Sequence, residues 1–271
     1  MARNPKAAKG GFAVKRIKTF ICLLITCCVL AAFAVPAYCQ DDSSAQASTI
    51  STKFDLPYVS KYVWRGSVAN PDPAFQPSLT FTHKNGMSLN LWGSIDTTGI
   101  NTEKSRFTEI DYTLNYAWNA GKMAMNAGVV DYVFPNTAIK TTSEVYACAC
   151  LGGKFSPAIS VNYDFVEARG FYTAISAGYD CAMRWNKDAA IKMNFSGKLG
   201  FATADFNNYL YGVDKSTLTD FLLSASVPVK VANSVSITPS LNYSRVMDKS
   251  LRDAVKDPDN FFTSLTASYE F

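Results

Sequence analysis

Residues 261–271 read Phe-Phe-Thr-Ser-Leu-Thr-Ala-Ser-Tyr-Glu-Phe, and their alternation restricts the fold more than any other stretch. Phe261, Leu265, Ala267, Tyr269 and Phe271 share one parity, broken only by Thr263, while Ser264, Thr266, Ser268 and Glu270 share the other. Successive side chains of an extended chain point to opposite faces, so this segment is a strand with one apolar and one polar face. The same period returns upstream. Ile110, Tyr112, Leu114, Tyr116 and Trp118 alternate with Asp111, Thr113 and Asn115. Ile159, Val161, Tyr163 and Phe165 alternate with Ser160, Asn162 and Asp164, and Ile191, Met193, Phe195 and Leu199 with Lys192, Asn194, Ser196 and Lys198.

Twelve such segments are expected, at 50–66, 74–84, 87–97, 106–118, 122–134, 143–155, 158–166, 171–182, 189–201, 217–228, 235–247 and 261–271. Each is near the length that crosses the hydrocarbon of a bilayer when tilted. Lys84-Asn85-Gly86, Asn119-Ala120-Gly121, Ser156-Pro157, Arg184–Asp188 and Lys230–Ser234 read as short turns, with positive φ expected at both central positions of an Asn-Gly pair. The longer connections are 97–105, 135–142, 202–216 and 248–260. The expectation is an all-β, antiparallel, up-and-down transmembrane β-barrel of about twelve strands, greasy outside and polar inside, with the short turns periplasmic. A soluble sandwich or lipocalin-like barrel is the competing fold and puts the apolar side chains inside. Tyr58, Trp64, Tyr116, Trp118 and Tyr269 lie near strand ends, where interfacial girdles form.

Residues 1–39 have the form of a secretory signal peptide: Arg3, Lys6, Lys9, Lys15, Arg16 and Lys18, an apolar run from Phe20 to Val35, then Ala37-Tyr38-Cys39 as the cleavage triplet. Residues 40–271 are then the mature barrel. Losing six basic and no acidic groups takes the net charge from +4 to −2, so the basic balance is no argument for nucleic-acid binding. Cys148, Cys150 and Cys181 remain; an odd number cannot all pair, and small residues packed inside the barrel is their expected role. The spacing gives no metal site, and no cofactor is expected.

Ser60-Lys61-Tyr62-Val63-Trp64-Arg65-Gly66, Pro73-Ala74-Phe75-Gln76, Trp92-Gly93-Ser94, Glu109-Ile110-Asp111-Tyr112 with Tyr116, Gly128 through Tyr132 to Pro135, and Glu144-Val145-Tyr146 follow one another across residues 58–155. In this order and spacing they resemble the TorF-type porin family of proteobacterial outer membranes. Ser67-Val68-Ala69 and Pro77 depart from the usual pattern. The resemblance implies an outer-membrane porin and leaves its solute open.

Parity places the polar members of this series in the lumen, at its outer third: Arg65, Asp96, Glu109, Asp131 and Glu144, with Asp111, Trp92 and Tyr146 beside them as pore-lining or constriction residues. Asp164, Asp220 and Arg245 are expected at similar depth, and Lys61, Lys192, Lys198 and Tyr172 also point inward, so the lumen is mixed in sign. The expected function is passive diffusion of small polar or ionic solutes, with a preference for cations if the carboxylates line an open pore. The alternative is a non-conducting structural or adhesion barrel whose charged loop 248–260 binds a surface partner. Enzymatic activity is not expected: a lipid hydrolase would have to use His83, the one histidine, which sits beside a turn at the wrong end. The expected partners are outer-membrane lipid and, through the strand ending in Phe271, the barrel-assembly machinery.

Overall fold

The computed structural model describes residues 49–184 and 190–271. The stretch 1–39 expected to be a signal peptide lies outside the described residues. The strands are β1 (Ile50–Val59), β2 (Tyr62–Trp64), β3 (Ser67–Asn70), β4 (Ala74–Phe75), β5 (Ser78–His83), β6 (Met87–Asp96), β7 (Phe107–Ala120), β8 (Met123–Val133), β9 (Thr142–Leu151), β10 (Ala158–Asp164), β11 (Phe171–Arg184), β12 (Ala190–Ala202), β13 (Thr217–Ser226), β14 (Val229–Lys230), β15 (Val235–Val246) and β16 (Asp259–Glu270). Two short helices, α1 (Ala204–Tyr211) and α2 (Lys249–Ala254), stand in the loops after β12 and β15.

These make a closed antiparallel barrel of twelve staves. Tyr58 and Val59 pair with β4 and the residues before them with β5, and both short strands pair onward with β6, so β4 and β5 are one stave interrupted at Gln76-Pro77. β13 and β14 likewise share one position beside β15. The seam between first and last strands is paired from Lys53 with Glu270 to Val59 with Ser264. A closed sheet has no unpaired edge, the property an apolar solvent requires.

The two faces divide as the alternation dictates. Ser78 faces Trp92, Trp92 faces Asp111, and Asp111 faces Tyr132 on the inner side. Asn90, Thr80, Ser240 and Ser264 are inward too and satisfy one another: Asn90 Nδ2 donates to Ser78 Oγ and Thr80 Oγ1, and the Ser240 and Ser264 hydroxyls lie 2.7 Å apart. The outer face carries Leu114, Ile175, Leu223, Leu265 and Leu241, the last 66% exposed. That is the inverse of a soluble barrel, whose apolar face is inside.

Three expectations are corrected. The first strand does not run to residue 66: it ends at Val59, and β2 and β3 form a separate hairpin. The loops 202–216 and 248–260 are not wholly irregular; α1 ends on Gly212 in the left-handed region, and α2 starts on Asp248, whose carboxylate accepts from the Ser250 N–H. In the turns Lys84-Asn85-Gly86 and Asn119-Ala120-Gly121 only the glycine takes positive φ. Gly86 is required there, since a Cβ would lie 2.1 Å from the Ala117 carbonyl oxygen.

Candidate functional site at the luminal mouth

The β2–β3 hairpin folds into the end of the lumen that carries the long loops. Its tip is Arg65-Gly66, both in the left-handed region at φ 48° and 85°. Arg65 crosses to β9 and forms two 2.7 Å bonds to the Glu144 carboxylate, a bidentate pair in which both side chains are buried. The guanidinium lies 4.3 Å from the ring centres of Trp64 and Tyr172 and 5.0 Å from that of Phe206. Its planar, weakly hydrated cation suits such a cage. The Tyr132 hydroxyl donates to Glu144 at 3.3 Å, and the Tyr211 hydroxyl donates to the Arg65 carbonyl at 2.6 Å. Burial pushes the Tyr211 phenol well above its ordinary range, with Asp220 adding to the effect.

Gly66 is fixed by crowding. A Cβ there would lie 2.8 Å from the Tyr211 hydroxyl and 2.9 Å from the Asp220 Cβ. Asp220, on β13, accepts from the Tyr172 hydroxyl at 2.8 Å and pairs with Lys198 Nζ at 3.2 Å. Above this layer Phe206 of α1 and Leu251 of α2 are wholly buried, Leu251 with Tyr211 and Val246. Strap and helices together fill the part of the lumen spanned by β9, β11, β13 and β15.

The wall of β4, β6 and β7 is different. Asp96 accepts from Asn70 Nδ2 at 2.7 Å and from Thr108 Oγ1 at 3.2 Å, and its Oδ2 has no partner. Glu109 faces Ser94 and is reached by the Tyr62 hydroxyl. Asp111 faces Trp92, and its Oδ1 is buried without a partner. Trp92 packs on Tyr62 with ring centres 5.6 Å apart. Tyr146, one turn deeper, donates to Asn115 Oδ1 at 2.8 Å.

Arg65, Asp96, Glu109, Asp111, Glu144, Trp92 and Tyr146 are therefore all luminal. Asp131 is not. Val130 and Tyr132 share the inner face of β8 with Glu144 and Thr142, which turns Asp131 outward beside Tyr112, where it accepts from Ser143 Oγ at 2.7 Å. Arg245 is outward as well, opposite Asp259. Trp64 is no girdle residue; it lies inside on Arg65. Cys148 and Cys150 face the lumen and Cys181 faces out, all three free.

With this geometry in view, known proteins give a frame. A family model described as "Bacterial protein of unknown function (Gcw_chp)" matches residues 42–226. The chain belongs to the Gcw_chp family. No curated protein matches it. Among solved structures the chain resembles the NanC porin at 12% identity and a TM-score of 0.51, over 80% of this chain and 100% of that one. It is also similar to the KdgM porin, at 9% identity and a TM-score of 0.49 over 82% and 99% of the two chains. An outer membrane channel from Pseudomonas putida F1 matches at 12% identity and a TM-score of 0.43 over 86% and 100%. At such identities the likeness to NanC concerns the twelve-stranded fold.

Sequence reasoning missed several residues of the Gcw_chp mouth. Tyr62, Asn70, Phe206 and Tyr211 shape it, and Tyr62 and Asn70 sat in or beside a segment read as wall. The signal was the Arg65-Gly66 step, a place where a straight strand has no use for glycine. Outside the strands, the Asp248 carboxylate is held below the usual range by hydrogen bonds from Lys215 and Ser250.

Proposed function

We propose that this Gcw_chp protein is an outer-membrane channel through which small polar or ionic solutes, cations in preference, diffuse down their gradient. The observation that carries the reading is the inverted barrel: hydroxyl, amide and carboxylate side chains inside, aliphatic and aromatic ones outside. Such a body is stable with lipid around it and water within it. The resemblance of residues 58–155 to TorF-type porins points the same way, and no side chain of the mouth requires a catalytic role. The one histidine, His83, accepts from the Asn85 N–H at a turn, and no carboxylate among the described residues is bonded to it.

Sign selectivity follows from the inner wall. Asp96, Glu109 and Asp111 form no ion pair among the described residues, whereas the cations Arg65 and Lys198 are committed to Glu144 and Asp220. The field left over favours positive solutes. Purified protein in planar lipid tests this: discrete conductance steps with a cation-selective reversal potential are expected. A silent bilayer with correctly folded, heat-modifiable barrel overturns it.

A second reading has its own observation. The hairpin, α1 and α2 stand at the mouth and are tied to the wall through Arg65, Tyr211, Phe206 and Leu251, which favours a barrel that is closed at rest. Removal of the hairpin separates the two: a channel narrowed by the strap gains conductance, and a barrel with no route stays silent.

A further inference from the structure

Four inward positions at the β4–β6–β7 wall are joined by register. Ala74 faces Asp96 and Ser78 faces Trp92, so Gln76 lies opposite Ser94, and Ser94 faces Glu109 on the next strand. Asp96 follows Ser94 on the same face. Ser94 and Asp96 are wholly buried and Gln76 and Glu109 nearly so. Within this group Gln76 Nε2, Ser94 Oγ and Asp96 Oδ2 have no hydrogen-bond partner. Buried polar atoms in folded proteins are almost always paired, because each orphan costs about 1–3 kcal/mol. Two orphan oxygens on neighbouring positions, Ser94 Oγ and Asp96 Oδ2, beside a Glu109 that forms no ion pair among the described residues, point to a positive partner.

Its chemistry is read from the donors. The set offers the Asp96 and Glu109 carboxylates, the Ser94 hydroxyl and, with the terminal amide turned over, the Gln76 carbonyl: oxygens only, the preference of hard cations. All three orphan atoms are shut off from solvent, so bulk water does not compensate them. Cys148 and Cys150 lie on another strand, so no thiol stands among these oxygens; among the described residues no three His, Cys, Asp or Glu side chains are grouped to hold a metal, so this set rests on two carboxylates completed by neutral oxygens.

We propose that Gln76, Ser94, Asp96 and Glu109 bind one small hard cation, sodium or calcium, at the mouth, with Tyr62 of the hairpin closing over it. The site deepens the channel reading by naming a resident ion on the cation route, yet occupancy does not require conduction.

Equilibrium dialysis of the detergent-solubilised barrel against labelled sodium or calcium, with N-methylglucamine chloride keeping ionic strength constant, tests it. One ion per barrel is expected, with affinity reduced at least tenfold in Asp96→Asn and severalfold in Ser94→Ala. Asp180→Asn, inward on β11 near the short-turn end and far from these four residues, retains it. Saturable binding of either ion with this pattern supports the site. Binding that survives Asp96→Asn and Ser94→Ala, or no bound ion while the carboxylates take up protons, overturns it. Should Asp96→Asn fail to fold, Ser94→Ala decides alone. A bound ion in a silent barrel removes the channel and keeps the site; a conducting barrel without a bound ion does the reverse.

Discussion

At the long-loop mouth the inner surface is satisfied by chain that arrives from elsewhere: Arg65 reaches Glu144, 79 residues away, and Tyr211 reaches the Arg65 carbonyl, 146 away. At the short-turn end the inward side chains satisfy their neighbours on the next strand, as Asn90 does with Ser78 and Thr80, or Asn194 with Asp180 at 2.7 Å. The first arrangement fills the bore; the second is confined to the wall. A single barrel thus combines a packed, low-dielectric cap with a sleeve of locally paired polar side chains. The same carboxylate is worth far more in the cap, where an unpaired charge has no water to fall back on.

The largest test of this contrast removes the cap. Replacing residues 61–72 by a short Gly-Ser link is expected to raise single-channel conductance severalfold; an unchanged step size means the hairpin does not narrow the path. Next, Glu144→Ala strands a buried guanidinium and should cost about 3–5 kcal/mol, read as a lower unfolding midpoint in micelles. The inward Ser160→Ala of the sleeve should move that midpoint little. If the two fall together, cap and sleeve are not energetically distinct. Leu241→Arg, mid-strand on the outer face of β15, is expected to cost about 2–4 kcal/mol if that face meets lipid, and nothing if it meets water.

Two smaller effects sharpen the picture. Cys148 should react with a charged, membrane-impermeant thiol reagent, and Cys181 only with a lipid-soluble one; equal labelling contradicts the inward and outward assignments. Asp248 has its carboxyl held below the ordinary range. Its share of loop stability is therefore present above that range and lost as pH falls through the lower, folded-state value. Amide exchange at Ser250 and Arg252 should stay slow until strongly acidic pH, and should quicken at neutral pH in Asp248→Asn.

The staves were legible because period two is a strong signal wherever the two solvents differ. Residues 261–271 and 107–120 fix their own phase, and with it the inward placement of Glu109 and Asp111. Gly128 to Val133 do not: Val129, Val130 and Val133 lack alternation, so the phase of β8 comes only from its pairing with β7 and β9, and Asp131 was assigned to the wrong face. The hairpin was illegible for another reason. Residues 60–70 continue a strand-like composition, and what diverts them is a tertiary cage in which Glu144, Tyr172 and Phe206, from three distant segments, close with Trp64 around Arg65. The orphan atoms of Gln76, Ser94 and Asp96 are visible only once burial is known.

The seam has a bearing on how the molecule comes to exist. Its pairs, such as Lys53 with Glu270, join residues from opposite ends of the cylinder wall's chain. Contacts of that separation reward the chain last, after all intervening loops have been closed. The hairpin's latch draws on β9, β11 and α1 but not on β16, so the guanidinium can be caged while the cylinder is still an open sheet. Closing the last gap would then wrap a finished wall around an interior already furnished, making the cap a template for curvature as well as an obstruction.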